Sequence, residues 1–216
     1  IFLMANNHTF NFWIALAVFV THIIANLIVT KPNAELFTRL EKLTLFPPGW
    51  VFLIWFVIWT LQSISFYRTY GSAFWDNSIT LLFILVCIGN IGSQYAGATN
   101  LGWLIYISLI ICMLVSAIVF MERTTLFYST FPIVKWAAQI YVGWASLAFL
   151  VGTGVILVTD QKLVSDKSYT IIGSIILALV PLVIWTLWFK HKADYRIVTV
   201  PYFVLYVAFA IRVILR

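Results

Sequence analysis

The sequence predicts an all-α polytopic membrane protein, and three observations carry that prediction. Hydrophobic residues make up 63% of the chain and charged residues only 9%, whereas a soluble domain is about a quarter charged and roughly half apolar. Apolar segments of roughly twenty residues, each long enough to cross a bilayer as a helix, recur along nearly the whole chain. These runs are unbroken, without the alternating segments of ~10 residues that mark a transmembrane barrel.

Taken in order, the runs predict helices at about 10–30, 49–69, 79–97, 101–121, 132–158, 169–190 and 197–214. The polar connections at 31–42, 68–77, 97–101, 122–135, 160–167 and 190–196 are too short for a soluble domain, so residues 1–216 form one membrane domain. The first run lacks a basic flank and a small-residue cleavage site, so it is a true span rather than a signal peptide. Seven helices would leave residues 1–9 and the C-terminus on opposite sides. Lysine and arginine divide six against seven between the two sides, so the loop charges choose no orientation.

The charge pattern excludes several function classes. A formal charge of +6 carried by loops and helix ends suits anionic lipid headgroups, and nucleic acid is not an expected partner. The acidic residues Glu35, Glu41, Asp76, Glu122, Asp160, Asp166 and Asp194 all fall in loops or at helix ends. Ion- and proton-coupled transporters keep ionisable groups within their spans, so a transporter is disfavoured. His8, His22 and His191 are scattered, with no H-x-x-x-H or C-x-x-C pair for a metal. The last run has no lysine for a retinal Schiff base, and no nucleophile–base–acid set can be assembled. An enzyme is not expected.

The spans carry aromatic and amide residues at helical spacing. In the second, Phe52, Trp55, Trp59, Gln62 and Phe66 recur at three- and four-residue steps and share a face. An amide near mid-membrane needs partners, so Gln62 should turn that face inward. The third span places Cys87, Asn90, Gln94 and Gly97 together, with Ser93 beside them. The fifth aligns Tyr141, Ala145, Ala148 and Gly152 next to Trp144, with Gln139 one turn earlier. The first adds His22 and Asn26 one turn apart. Together these faces describe an aromatic-walled cavity with a few hydrogen-bonding groups and no fixed charge, suited to a flat, mostly apolar ligand.

Three segments resemble the TspO/MBR (translocator protein) superfamily, in its longer, divergent tryptophan-rich sensory protein branch. Phe46-Pro47-Pro48-Gly49-Trp50-Val51-Phe52, followed by Ile54-Trp55 and Ile58-Trp59, is similar to that branch's helix-2 motif. Cys87-Ile88-Gly89-Asn90 resembles its third-helix segment and Ile140-Tyr141-Val142-Gly143-Trp144-Ala145 its fifth. The resemblance implies a five-helix core over 10–158 and two additional helices over 159–216. It departs at Gly152, where family members commonly carry asparagine, and at Ile91-Gly92-Ser93, where a tryptophan is common.

The resemblance implies a receptor or carrier for a planar hydrophobic ligand of the tetrapyrrole or sterol class. Trp55, Trp59, Tyr141 and Trp144 would wall the site, and Gln62, Asn90 and Gln94 would orient polar edges. His22, Asn26, Pro48 and Trp50 complete the candidates, with the 31–48 loop as a lid. The residues single out no cofactor with certainty, and haem or porphyrin is the candidate. Were haem or porphyrin bound, His22 is the only histidine within a span and the natural axial ligand. The rival is a structural accessory subunit of a larger membrane complex, favoured by the residues at Gly152 and Ser93. Expected partners are therefore the lipid bilayer, a hydrophobic small molecule, and either a second copy or a larger complex. A bacterial inner or mitochondrial membrane is the expected location.

Overall fold

The computed structural model describes residues 7–28, 38, 41, 43–44, 49–99, 101–127, 131–191 and 195–214. They form helices α1 His8–Ile28, α2 Ile54–Thr69, α3 Asn77–Thr99, α4 Trp103–Phe127, α5 Pro132–Gly154, α6 Asp166–His191 and α7 Val200–Ile214. Short 3-10 turns, Gly49–Leu53 and Arg196–Thr199, lead into α2 and α7, and a π turn, Val155–Asp160, ends α5. All seven helices fall where the apolar runs place them. The largest shift is at the end of α4, which continues past residue 121 to Phe127. Glu122 and Arg123 end the apolar run, but both are good helix formers, so the helix outlasts its membrane-compatible stretch.

Local chemistry sets several starts. Asn7 Oδ1 accepts from the Phe10 amide at 3.1 Å, Asp76 Oδ1 from Ile79 at 2.7 Å and Ser165 Oγ from Ser168 at 3.1 Å. Each satisfies an amide that a helix start leaves open. Pro132 opens α5, where a missing N–H costs nothing.

Among the described residues, six helical segments are long and apolar enough to cross a bilayer, which makes this an integral multi-pass membrane protein. The seventh differs from expectation. α7 has 15 residues, about 22 Å at 1.5 Å per residue, short of a hydrocarbon core of about 30 Å. The 3-10 turn before it, with a rise of about 2 Å per residue, makes up roughly the difference.

Five helices close a ring in the order α1, α2, α5, α4, α3. α3 packs on α1 and α4, α5 on α4 and α2, and Phe19 of α1 stacks on Phe66 of α2 at 5.1 Å. α7 and its 3-10 turn lie against α5, while α6 sits farther out. Half of the apolar window of α5 is buried (50%), against 17% for α6. Gly143 makes the α5–α7 approach feasible, because a Cβ there would lie 2.2 Å from the Val198 carbonyl oxygen. Ser146 Oγ and Tyr202 OH join the same helices at 2.6 Å, and Tyr206 OH donates to the Leu177 carbonyl of α6. The connection between α1 and α2 is tied to α6. The Thr44 amide and hydroxyl donate to the two Asp166 carboxylate oxygens at 3.1 and 2.5 Å, and Leu43 is buried against Val155.

Candidate functional site

The sequence-predicted residues gather into two groups joined at one contact. The first centres on Trp55, whose ring centroid lies 5.8 Å from Trp59, 6.1 Å from Tyr141 and 6.1 Å from Trp144. Phe52 meets Trp144 edge-on at 5.5 Å. Tyr141 and Trp144 are 3% and 6% exposed, because they occupy the most buried face of α5, while Trp55 and Trp59 are half-buried. Helical spacing on α2 and α5 thus places four rings in one cluster, each pair contributing about 0.5–1.5 kcal/mol beyond its buried area.

The second group is polar and lies between α1 and α3. Asn90 Oδ1 is its acceptor: His22 Nε2 approaches at 2.8 Å, Gln94 Nε2 donates at 2.9 Å and Asn26 Nδ2 at 3.3 Å. Gln94 Nε2 also donates to Asn26 Oδ1 at 2.6 Å, and Asn26 Nδ2 to the His22 carbonyl at 2.7 Å. Asn90 and Gln94 therefore face α1 rather than the tryptophans. The groups touch through His22, whose ring meets Trp55 edge-on at 6.1 Å.

The two groups differ in how well their polar atoms are satisfied. In and beside the aromatic cluster, Trp59 Nε1, Tyr141 OH, Gln62 Oε1 and His22 Nδ1 are buried without a protein partner. Buried polar groups are nearly always hydrogen-bonded, and an unsatisfied one costs about 1–3 kcal/mol. Four such atoms in and beside one aromatic cluster mark a place that a partner would complete.

A small cavity adjoins the rings. Gln62, Phe66, Phe83, Ala138 and Tyr141 help line a cavity of about 30 Å³ that Trp144 does not line, far below the roughly 300–1,000 Å³ of a small-molecule site. Of the two His22 ring nitrogens, Nε2 is engaged by Asn90 at 2.8 Å and Nδ1 is buried without a protein partner. Aromatic contact, face-on or edge-on, is the chemistry these residues offer.

Of the other candidates, Trp50 lies in the 3-10 turn and is 42% exposed. Pro48 lies outside the described residues, as does most of the 31–48 loop. One neighbour went unpredicted. Tyr106 of α4 reaches Gly152, where a Cβ would sit 2.3 Å from its hydroxyl oxygen. A phenol thus fills the space where an asparagine is common in the resembling family. The signal was present: Tyr106, Ile110, Met113, Ala117 and Met121 recur at helical steps, and all are buried.

Apolar helices packed around a buried aromatic cluster with unsatisfied polar atoms define an integral membrane protein whose interior is compatible with ligand binding. The family described as TSPO-like protein matches residues 8–211, and the chain belongs to that family. No curated protein and no solved structure matches it.

Proposed function

We propose that the chain is a membrane receptor or carrier, not an enzyme, for a planar, mostly apolar ligand taken up beside Trp55 between α2 and α5. The observation that supports this best is the presence of four unpartnered buried polar atoms, on His22, Trp59, Gln62 and Tyr141, in and beside a cluster of tilted and edge-on aromatic rings. Half-buried Trp55 and Trp59 swing aside to admit the ligand, while Tyr141 and Trp144 on α5 form the fixed wall. The ligand's polar edge then satisfies atoms that the protein leaves open, and a metal-free tetrapyrrole or a sterol has that combination of flat skeleton and polar rim. Asn90, Gln94 and Asn26 hold α1 to α3 and fix His22 against Trp55, so they act by positioning.

The accessory-subunit reading gains from the closed packing of the rings and the small adjoining cavity. Purification in mild detergent separates the two. A lone protein that binds protoporphyrin or cholesterol, with tryptophan quenching lost in Trp55→Ala, supports the receptor. A stoichiometric assembly with no affinity for either probe supports the subunit.

A further inference from the structure

The cavity of about 30 Å³ between α2, α3, α4 and α5 has Tyr141, but none of Trp55, Trp59 and Trp144, in its wall. Phenylalanines and alanines supply most of its wall, and three polar side chains interrupt it: Gln62 and Ser65 on α2 and Tyr141 on α5. Gln62 Oε1 and Tyr141 OH are buried without a partner. The Ser65 hydroxyl donates to the Leu61 carbonyl at 2.7 Å, which leaves its oxygen able to accept. Trp75, also in the wall, has its indole N–H committed to Thr69 Oγ1 at 3.0 Å.

We propose that this cavity is a binding site for internal water, with about two molecules linking Gln62 of α2 to Tyr141 of α5. A water needs roughly 10–15 Å³ of such space and two to four polar partners, and both conditions are met. The hydrogen-bond directions also agree. Gln62 Oε1 and Ser65 Oγ accept from water, and the Tyr141 hydroxyl donates to it. A purely apolar cavity of this size would stay dry. The inner part of the α2–α5 seam is thereby held through exchangeable solvent rather than through a direct side-chain bond. This inference does not depend on the ligand proposed above, because the water site completes the protein when no ligand is bound.

The test is a lipidic-phase crystal structure of the full chain at a resolution that shows ordered water, for the wild type and for Gln62→Leu combined with Tyr141→Phe. The expected wild-type result is one or two water peaks within hydrogen-bond distance of both Gln62 Oε1 and Tyr141 OH, absent from the double variant. Deuteron relaxation dispersion in detergent gives an independent reading, with about two fewer long-lived waters in the double variant. A dry cavity, a direct Gln62–Tyr141 bond, or continuous acyl-chain density in the wild type overturns the proposal. So do waters that persist unchanged in the double variant. If the double variant does not fold, the wild-type density alone decides.

Discussion

The α1–α3 seam and the α2–α5 seam hold similar chemistry in opposite states. Between α1 and α3, the Asn90 carbonyl oxygen accepts from three side chains and Gln94 Nε2 donates to two acceptors. Between α2 and α5, Gln62 Oε1, Trp59 Nε1 and Tyr141 OH are buried with no protein partner. Amides within a membrane serve either as glue between helices or as anchors for something else, and satisfaction separates the two roles. The first seam is bonded within the chain at every amide, with only His22 Nδ1 left open where it meets Trp55; the second needs a partner that is not part of the chain.

The comparison breaks first at Asn90. Asn90→Leu strips three donors of a shared acceptor, and the expected loss is about 2–4 kcal/mol of stability, read from unfolding in matched detergent. A smaller loss than Gln62→Leu gives would reverse the assignment of glue and site. Next come the tryptophans. Trp55→Ala and Trp59→Ala should weaken a bound protoporphyrin or sterol roughly tenfold or more. Trp13, 53% exposed on α1, should tolerate alanine with no change in affinity. Equal effects at all three positions would remove the stacking wall.

Gln62→Leu should change stability by under about 1 kcal/mol, because Gln62 Oε1 has no protein partner that the substitution would leave stranded. The contrast with Asn90→Leu, measured side by side, sharpens the comparison more than either value alone.

The smallest effect lies outside both seams. Tyr195, in the connection before α7, donates to Glu122 Oε2 at 2.9 Å. Partial burial, with the Glu122 carboxylate beside it, pushes its phenol up from 10.0 to about 12. A raised phenol favours the neutral folded form, so its contribution to stability is whole below about pH 10 and is lost as pH rises towards about 12. Absorbance titration of Glu122→Gln should show one tyrosine ionising at lower pH, with neither seam affected.

The helices were legible in the sequence because a bilayer demands long apolar runs, and their interruptions are hard to hide. Which residues share a face was legible too. Trp55, Trp59 and Gln62 follow from spacing on α2, as do Tyr141 and Trp144 on α5. What each face meets was not, since spacing within one helix says nothing about which neighbour packs there. Asn90 and Gln94 look like pocket residues by that measure, but the ring order sends them to α1. Tyr106 escaped for a related reason. Its role depends on the vacancy at Gly152, on another helix and 46 positions later in the sequence. Cavity size is least legible of all, because it is what remains after every side chain has chosen a rotamer.

The bond between Thr44 and Asp166 spans 122 positions. A ribosome feeding this chain into a membrane releases α1 and α2 long before the start of α6 exists, so the connection between them is tethered only late in synthesis. A protein truncated after α5 would keep all five helices of the ring yet lose the acceptor that fixes Thr44. The C-terminal pair is therefore more than an appendix to the five-helix ring: it completes a connection made near the beginning.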